Sequence, residues 1–507
     1  MKRIIIENKE YSLIDIFTWC NSDCKIELSE DVVKKIKKSR DLVEKLSLSD
    51  DSIYGINTGF GKLSQIPIKK SNLHKLQENL LLSHAVGLGP ACPQIIVKIM
   101  MLLKIISFSK GNSGISISIV EFILYLFNNN LIPYVPMKGS VGASGDLAPL
   151  AHMSLPLLGL GKLSDGSNFV DTNKALKKNI LNKVELGPKE GLALINGTQF
   201  STAYGVYCLY KINELMKLSD VAASMTIESM MAIKKPFLEK VNKLKPFNGQ
   251  LNVSKNIINL LKNSEIAEHH ADSARVQDIY SVRCIPQVHG SCRDLIEFSC
   301  KQINTEINSV SDNPLVFLED EEIISAGHFH AESIGHALDI AAMSLASISN
   351  ISERRIFALL SGDYGLPKFL IDNPGLNSGF MMLQVTAAAL ASENKVLANP
   401  SSTDSIPTCS NQEDYVSMAP YSGRKLLDSV NNYASILAIE FLAASQGIDF
   451  RKELKPAEKL IFIHKLIRSK VPFLSKDRFL KNDLDEILLL VNDGTILKEV
   501  NKNNNLL

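Results

Sequence analysis

Long stretches of helical period constrain the fold of this chain more than any other feature. Apolar residues recur at helical spacing over Pro93 to Ser109, Ser201 to Ile233, His289 to Ser309, Glu332 to Leu360, Ser378 to Ala398 and Arg424 to Gln446. Several of these runs exceed twenty residues, which predicts a mainly α protein built on a long helical bundle. Before about residue 90 the pattern is broken: a short apolar run, a Ser/Asp-rich stretch at Ser47 to Ser52, and the glycine-rich loop Tyr54 to Gly61, too irregular for a helix. The expected division is a smaller mixed N-terminal region, 1–200, and a helical bundle with a C-terminal helical region, 201–507.

At 507 residues the size of the core is not limiting. Lys and Arg total 55 against 54 Asp and Glu, so no global field favours nucleic acid or an anionic membrane, and a small substrate fits better. The start, Met1 to Glu7, offers three apolar residues before the next charge, short of a secretory core. The apolar stretches Ile95 to Phe108 and Ile115 to Phe127 are interrupted by Lys98, Lys104 and Glu121 and fall short of the roughly 20 residues a bilayer span needs. They read as buried helices of a cytoplasmic protein. Eight cysteines without a CxxC pair read as free thiols in a reducing compartment.

Turn residues collect at Pro133 to Gly145, Asn196-Gly197, Asp312-Asn313-Pro314 and Asn399 to Pro407, and loops on a rigid helical frame are where reacting groups usually sit. The segment Gly139 to Leu150 sets Ser144 among three glycines. By itself the tripeptide Ala143-Ser144-Gly145 decides nothing, since a glycine-rich turn before a helix accounts for it equally well. In its full context the segment resembles the aromatic amino acid ammonia-lyase and aminomutase family. That resemblance implies that Ala143, Ser144 and Gly145 cyclise and dehydrate to 4-methylideneimidazol-5-one, with no external cofactor. Gly145 supplies a backbone nitrogen with no side chain in the way, and Ser144 supplies the hydroxyl lost as water. The chemistry needs such an electrophile, because ammonia is a poor leaving group and the β-hydrogen of an amino acid is barely acidic.

Further resemblances follow in the family's order. Tyr54, in Tyr54-Gly55-Ile56-Asn57-Thr58-Gly59-Phe60-Gly61, is similar to the catalytic tyrosine. An unperturbed Tyr has a pKa of about 10, so a base here requires nearby positive charge or donors to lower it. Asn196, in Asn196-Gly197-Thr198, is placed by the resemblance beside the ring, where an amide can donate to ring oxygen or substrate carboxylate. Gln277 and Tyr280 are implied as ring or substrate contacts, and Arg283 as the carboxylate anchor, its planar fork matching two oxygens. Phe329 is implied as a further substrate contact. His84, after Ser83, matches the specificity position of members that act on histidine, and Glu413, in Asn411-Gln412-Glu413-Asp414, offers a carboxylate to an imidazole N–H. The resemblance thus implies elimination of ammonia from L-histidine to give trans-urocanate, with a tyrosine or phenylalanine ammonia-lyase or aminomutase of the same family as the alternative. It also implies the long bundle of the ammonia-lyase and fumarase-like type, assembled as a homotetramer with shared active sites.

Three positions depart from the pattern: His328 where Asn is expected, Ala331 where Gly is expected, and Tyr415 where His is expected. The same stretch suggests a different class of function, since His328, His330, Glu332 and His336 resemble the spacing of metal ligands in a hydrolase. His328 and His330 share a face only on a strand, whereas Glu332 and His336 share one only on a helix. No metal is therefore expected.

Overall fold

The computed structural model describes residues 2–502 and 506–507, apart from 50, 165, 167, 180, 270–274 and 452. All six expected long helices form: Gln94–Ser109, Gln199–Ser229, Ile285–Ile307, Glu332–Leu360, Met381–Leu397 and Ala419–Asp449. The last begins at Ala419 and not at Arg424 because Pro420 lies in its first turn, where a missing N–H leaves no helix bond unmade. The strands are two to five residues long, too short for a period-2 signal to stand out.

The chain divides into two compact units, each discontinuous in sequence, where the expectation above is a single cut near residue 200. The first comprises 1–210, 300–339 and 400–424. In it the strands Lys2–Ile6 and Cys24–Leu28 pair in parallel, joined through the Leu13–Cys20 helix, which starts on a Ser12/Asp15 capping box. The Gln94–Ser109 helix is buried almost all round, Lys104 included. Three shorter helices, Leu73–His84, Leu147–Ser154 and Glu190–Ile195, pack on one another. Their ends place the chemistry: His84 closes the first, Asp146 precedes the second, and Asn196 caps the third.

The second unit comprises 211–299, 340–399 and 425–507. Its interior holds charges that would be costly if unpaired. Asp220 accepts from His289 Nδ1 at 2.9 Å and from Arg293 at 2.6 Å, while Arg355 donates to both oxygens of Glu440, at 2.6 and 2.9 Å. The cysteines are all free thiols. Among the described residues one helix, Glu332–Leu360, is long and apolar enough to cross a bilayer, and 72% of its most apolar window is buried inside the protein.

Candidate active site

The Ala143-Ser144-Gly145 segment lies in the first unit, backed by the Asn196-Gly197 turn. Gly145 has φ +79°, and a Cβ there would meet Gly197 O at 2.3 Å, so no L side chain fits. Gly197 O accepts the Asp146 N–H at 2.7 Å. The Asp146 carboxylate is buried and accepts from Ser201 N at 2.8 Å and Ser201 Oγ at 2.9 Å, at the start of the Gln199–Ser229 helix, where the dipole favours an acid. Burial pushes its pKa up to about 7, against the bonds from Ser201. Asn196 Nδ2 donates to Asn313 O at 3.0 Å, and Asn196 Oδ1 is buried without a partner. Behind the turn, Lys104 Nζ donates to Asn196 O at 2.5 Å.

In front of the segment is a cavity of about 870 Å³ whose lining includes Tyr54, His84, Ser144, Asn196, Phe329 and Glu413. Ser144 Oγ donates to Glu413 Oε1 at 2.5 Å, and Thr408 Oγ1 fixes the other carboxylate oxygen at 2.6 Å. His84 Nδ1 lies 2.8 Å from Leu80 O. A carbonyl only accepts, so Nδ1 carries the proton and Nε2 of the neutral ring remains an acceptor. Burial holds the His84 pKa below its ordinary value, opposed by Leu80 O and Glu413. Tyr54 Oη accepts from Gly61 N at 3.4 Å. Its pKa is raised, by burial first and by Glu413, with only the Gly61 N–H opposing. This is the reverse of what a tyrosine base requires. The physical reason is that the cavity lining contains no Lys or Arg among the described residues.

The family model for aromatic amino acid lyases matches residues 12–469. The chain belongs to this family. It is 45% identical over 467 residues, covering 92% of each chain, to a histidine ammonia-lyase of Pseudoalteromonas atlantica. Its structure is similar to that of histidine ammonia-lyase from Trypanosoma cruzi, with a TM-score of 0.91 and 36% identity over 98% of this chain and 95% of the other. It is similar as well to tyrosine aminomutase from Streptomyces globisporus, with a TM-score of 0.94 and 29% identity over 99% of each chain. These likenesses span the whole mainly α architecture.

Not every residue expected at the site of this aromatic amino acid lyase lines the cavity. Ala143 is buried beside Ser144. Gln277, Tyr280 and Arg283 belong to the second unit and are absent from the lining. Tyr280 is 70% exposed, and the Arg283 guanidinium sits 4.5 Å from the centre of its ring. The hydrolase reading is overturned. Family membership makes the chain a lyase, and among the described residues no group of three or more potential ligands could hold a metal. His330 and His336 each approach Glu332 separately, at 3.9 and 3.2 Å. Neither His328 nor Tyr415 lines the cavity, and Tyr415 stacks on His330 with 6.1 Å between ring centres. Sequence reasoning missed Thr408, which orients Glu413, and Lys104. The available signal for Lys104 was a cation inside an otherwise apolar stretch, which reads first as a mere interruption.

Proposed function

We propose that this chain eliminates ammonia from L-histidine to give trans-urocanate, using an electrophile formed from its own Ala143-Ser144-Gly145. The observation that carries the reading is the Ser144 hydroxyl bonded to Glu413 in a cavity that His84 also lines. The residues present fit the prosthetic group: Gly145 has no room for a side chain, the Ser144 hydroxyl lies at the cavity, and Asn196 Oδ1 is a buried polar atom without a partner. In forming the ring, the Gly145 nitrogen bonds to the Ala143 carbonyl carbon and passes its proton to that oxygen, which leaves as water with the Ser144 amide proton. The Ser144 hydroxyl then leaves as a second water with the Ser144 α-proton. The resulting conjugated methylidene supplies an electrophilic carbon that no ordinary side chain provides.

Around that group the side chains have separate tasks. Glu413 and the neutral His84 Nε2 offer acceptors to the two N–H groups of a substrate imidazolium, a pairing that a phenyl ring cannot use. Tyr54 takes the β-proton. A phenol held up by burial needs a cation nearby to do so, and the substrate carboxylate needs one as well. With no Lys or Arg in the lining among the described residues, we assign that charge to Arg283 of a second copy of the chain, with Gln277 and Tyr280 alongside it, in a homotetramer with shared sites. The reading includes a cytoplasmic location. The likeness to proteins named histidine ammonia-lyase favours histidine as substrate. Incubating the protein with L-histidine, L-tyrosine and L-phenylalanine and identifying the products tests it. Urocanate from histidine is expected, and turnover of tyrosine or phenylalanine alone overturns the substrate while leaving the family intact.

A further inference from the structure

We propose that Lys104 is a positioning residue for ring formation: its amino group donates to the Asn196 carbonyl and thereby keeps the Gly197 backbone seated against Gly145. The inference rests on the proposed conversion of Ala143-Ser144-Gly145 into the electrophile. Lys104 is 1% exposed, inside a helix otherwise buried and apolar around it. A lysine this deeply buried is ordinarily paired with a carboxylate; here burial brings the pKa down to about 7, with the charges of Asp312 and Asp146 pulling the other way. Among the described residues no carboxylate lies within ion-pair distance of this one. Its bonds go to two neutral oxygens, Asn196 O at 2.5 Å and Gln199 Oε1 at 3.5 Å, with its Nζ 5.1 Å from the centre of the Phe108 ring.

The geometry explains what that placement does. Asn196 and Gly197 are consecutive, and Gly197 touches the reacting tripeptide: its oxygen takes the Asp146 N–H, and its backbone leaves no room for a Cβ at Gly145. The rest of the turn is tied from other directions, Thr198 Oγ1 to Glu306 at 2.5 Å and Gln199 Nε2 to Ser311 Oγ at 2.9 Å. Lys104 closes the side facing its helix. Removing it leaves a buried carbonyl unpaired in the residue next to Gly197, where a small displacement loosens the wall against which the Gly145 nitrogen must turn.

The test compares full-length wild type with Lys104→Met, measuring intact mass and near-ultraviolet absorbance for the ring, circular dichroism for the fold, and the thermal midpoint. Wild type should be lighter than its sequence mass by two waters. Lys104→Met should keep its helical signal yet show ring content and turnover reduced by roughly tenfold or more, the scale expected when a buried carbonyl is left without a donor. Lys104→Arg, which keeps an N–H donor, should restore part of the ring. A merely structural lysine predicts a lower thermal midpoint with full ring content in the folded protein, and that result overturns the proposal. Should the Met variant fail to fold, Lys104→Leu, which likewise carries no donor, takes its place, and full ring content there is equally fatal. Wild type of unmodified mass overturns the electrophile reading and this inference together, whereas a matured wild type beside a matured Lys104→Met overturns this inference alone.

Discussion

Behind Ser144, the turn at Asn196, Gly197 and Thr198 is buried and held by short bonds: Lys104 to Asn196 O at 2.5 Å, Asp146 N to Gly197 O at 2.7 Å, Thr198 Oγ1 to Glu306 at 2.5 Å. Across the cavity, the backbone of the Tyr54 loop is tied by Ile53 N to Asn57 Oδ1 at 2.8 Å and Ile68 N to Asn57 O at 2.9 Å, but the phenol itself accepts a 3.4 Å bond from Gly61, and Gly61 (φ +53°) borders the exposed Cys409, whose sulfur lies 2.6 Å from where a Cβ would stand. The difference matches two kinds of work. Ring closure happens once per chain and needs reacting atoms fixed by their surroundings. Substrate must enter and leave at every turnover, which a phenol held by a long bond beside a partly exposed rim permits. Changes to the back wall should therefore alter whether the ring exists, and changes at the rim should alter how fast a formed ring is used.

The largest expected effect lies at the centre. Ser144→Ala removes the hydroxyl that leaves as the second water, so the fold should survive while the methylidene is absent and turnover falls to background. Mass and absorbance check the first, product assay the second. Activity with unaltered mass would sink the mechanism. Next in size is Tyr54→Phe on the opposite wall, which should leave the two-water mass loss intact and cut turnover by roughly 10² or more, the scale for removing a positioned base. Near-normal turnover would show that another group takes the β-proton, whereas loss of the ring would erase the distinction between the walls.

Glu413 joins both regions, since its carboxylate touches Ser144 while it sits on the Thr408 to Glu413 bridge. Glu413→Gln keeps size and removes charge. A hydrogen bond to a charged group is worth about 1.5–3 kcal/mol, so histidine turnover should fall roughly ten- to a hundredfold with the ring still formed. Turnover on histidine and tyrosine, with intact mass, separates the outcomes. Full histidine activity in the variant removes the imidazole partner from the substrate assignment.

These contrasts were only partly legible in the sequence. Ser144, Tyr54, His84, Asn196, Phe329 and Glu413 stand in motifs dense enough to name them, and folding brings all six to one cavity because each sits at a helix end or in a loop of the first unit. Gln277, Tyr280 and Arg283 were equally visible as a motif, yet they belong to the second unit and are not among the residues that line the cavity of the first. Lys104 was visible only as an interruption of an apolar stretch, and its role was hidden for a different reason. Its partner is a backbone carbonyl 92 residues away, and no sequence pattern marks a carbonyl. The discontinuous units escaped likewise, because their contacts join segments far apart along the chain.

The smallest expected effect concerns the protonation of His84 at the rim. Burial lowers its pKa from the ordinary 6.5, with the Leu80 carbonyl and Glu413 pulling the other way. The neutral ring, with Nε2 free to accept, should persist until the pH drops below 6.5, and only then should a protonated His84 stop accepting from the substrate. In stability the sign is the same: the unfolded chain takes up this proton first, so the folded state loses ground as pH falls from 6.5 toward the depressed value. The substrate imidazole titrates in the same region and would blur a single profile. His84→Asn retains a polar group without a titration, so the ratio of kcat/KM for L-histidine between wild type and variant cancels the substrate. That ratio should be flat above pH 6.5 and fall by roughly two- to tenfold below it, the worth of one neutral hydrogen bond. A ratio that already declines above 6.5 would mean that His84 titrates as an exposed or acid-paired histidine. It would then face solvent and not the substrate, and the rim would lose its part in choosing imidazole.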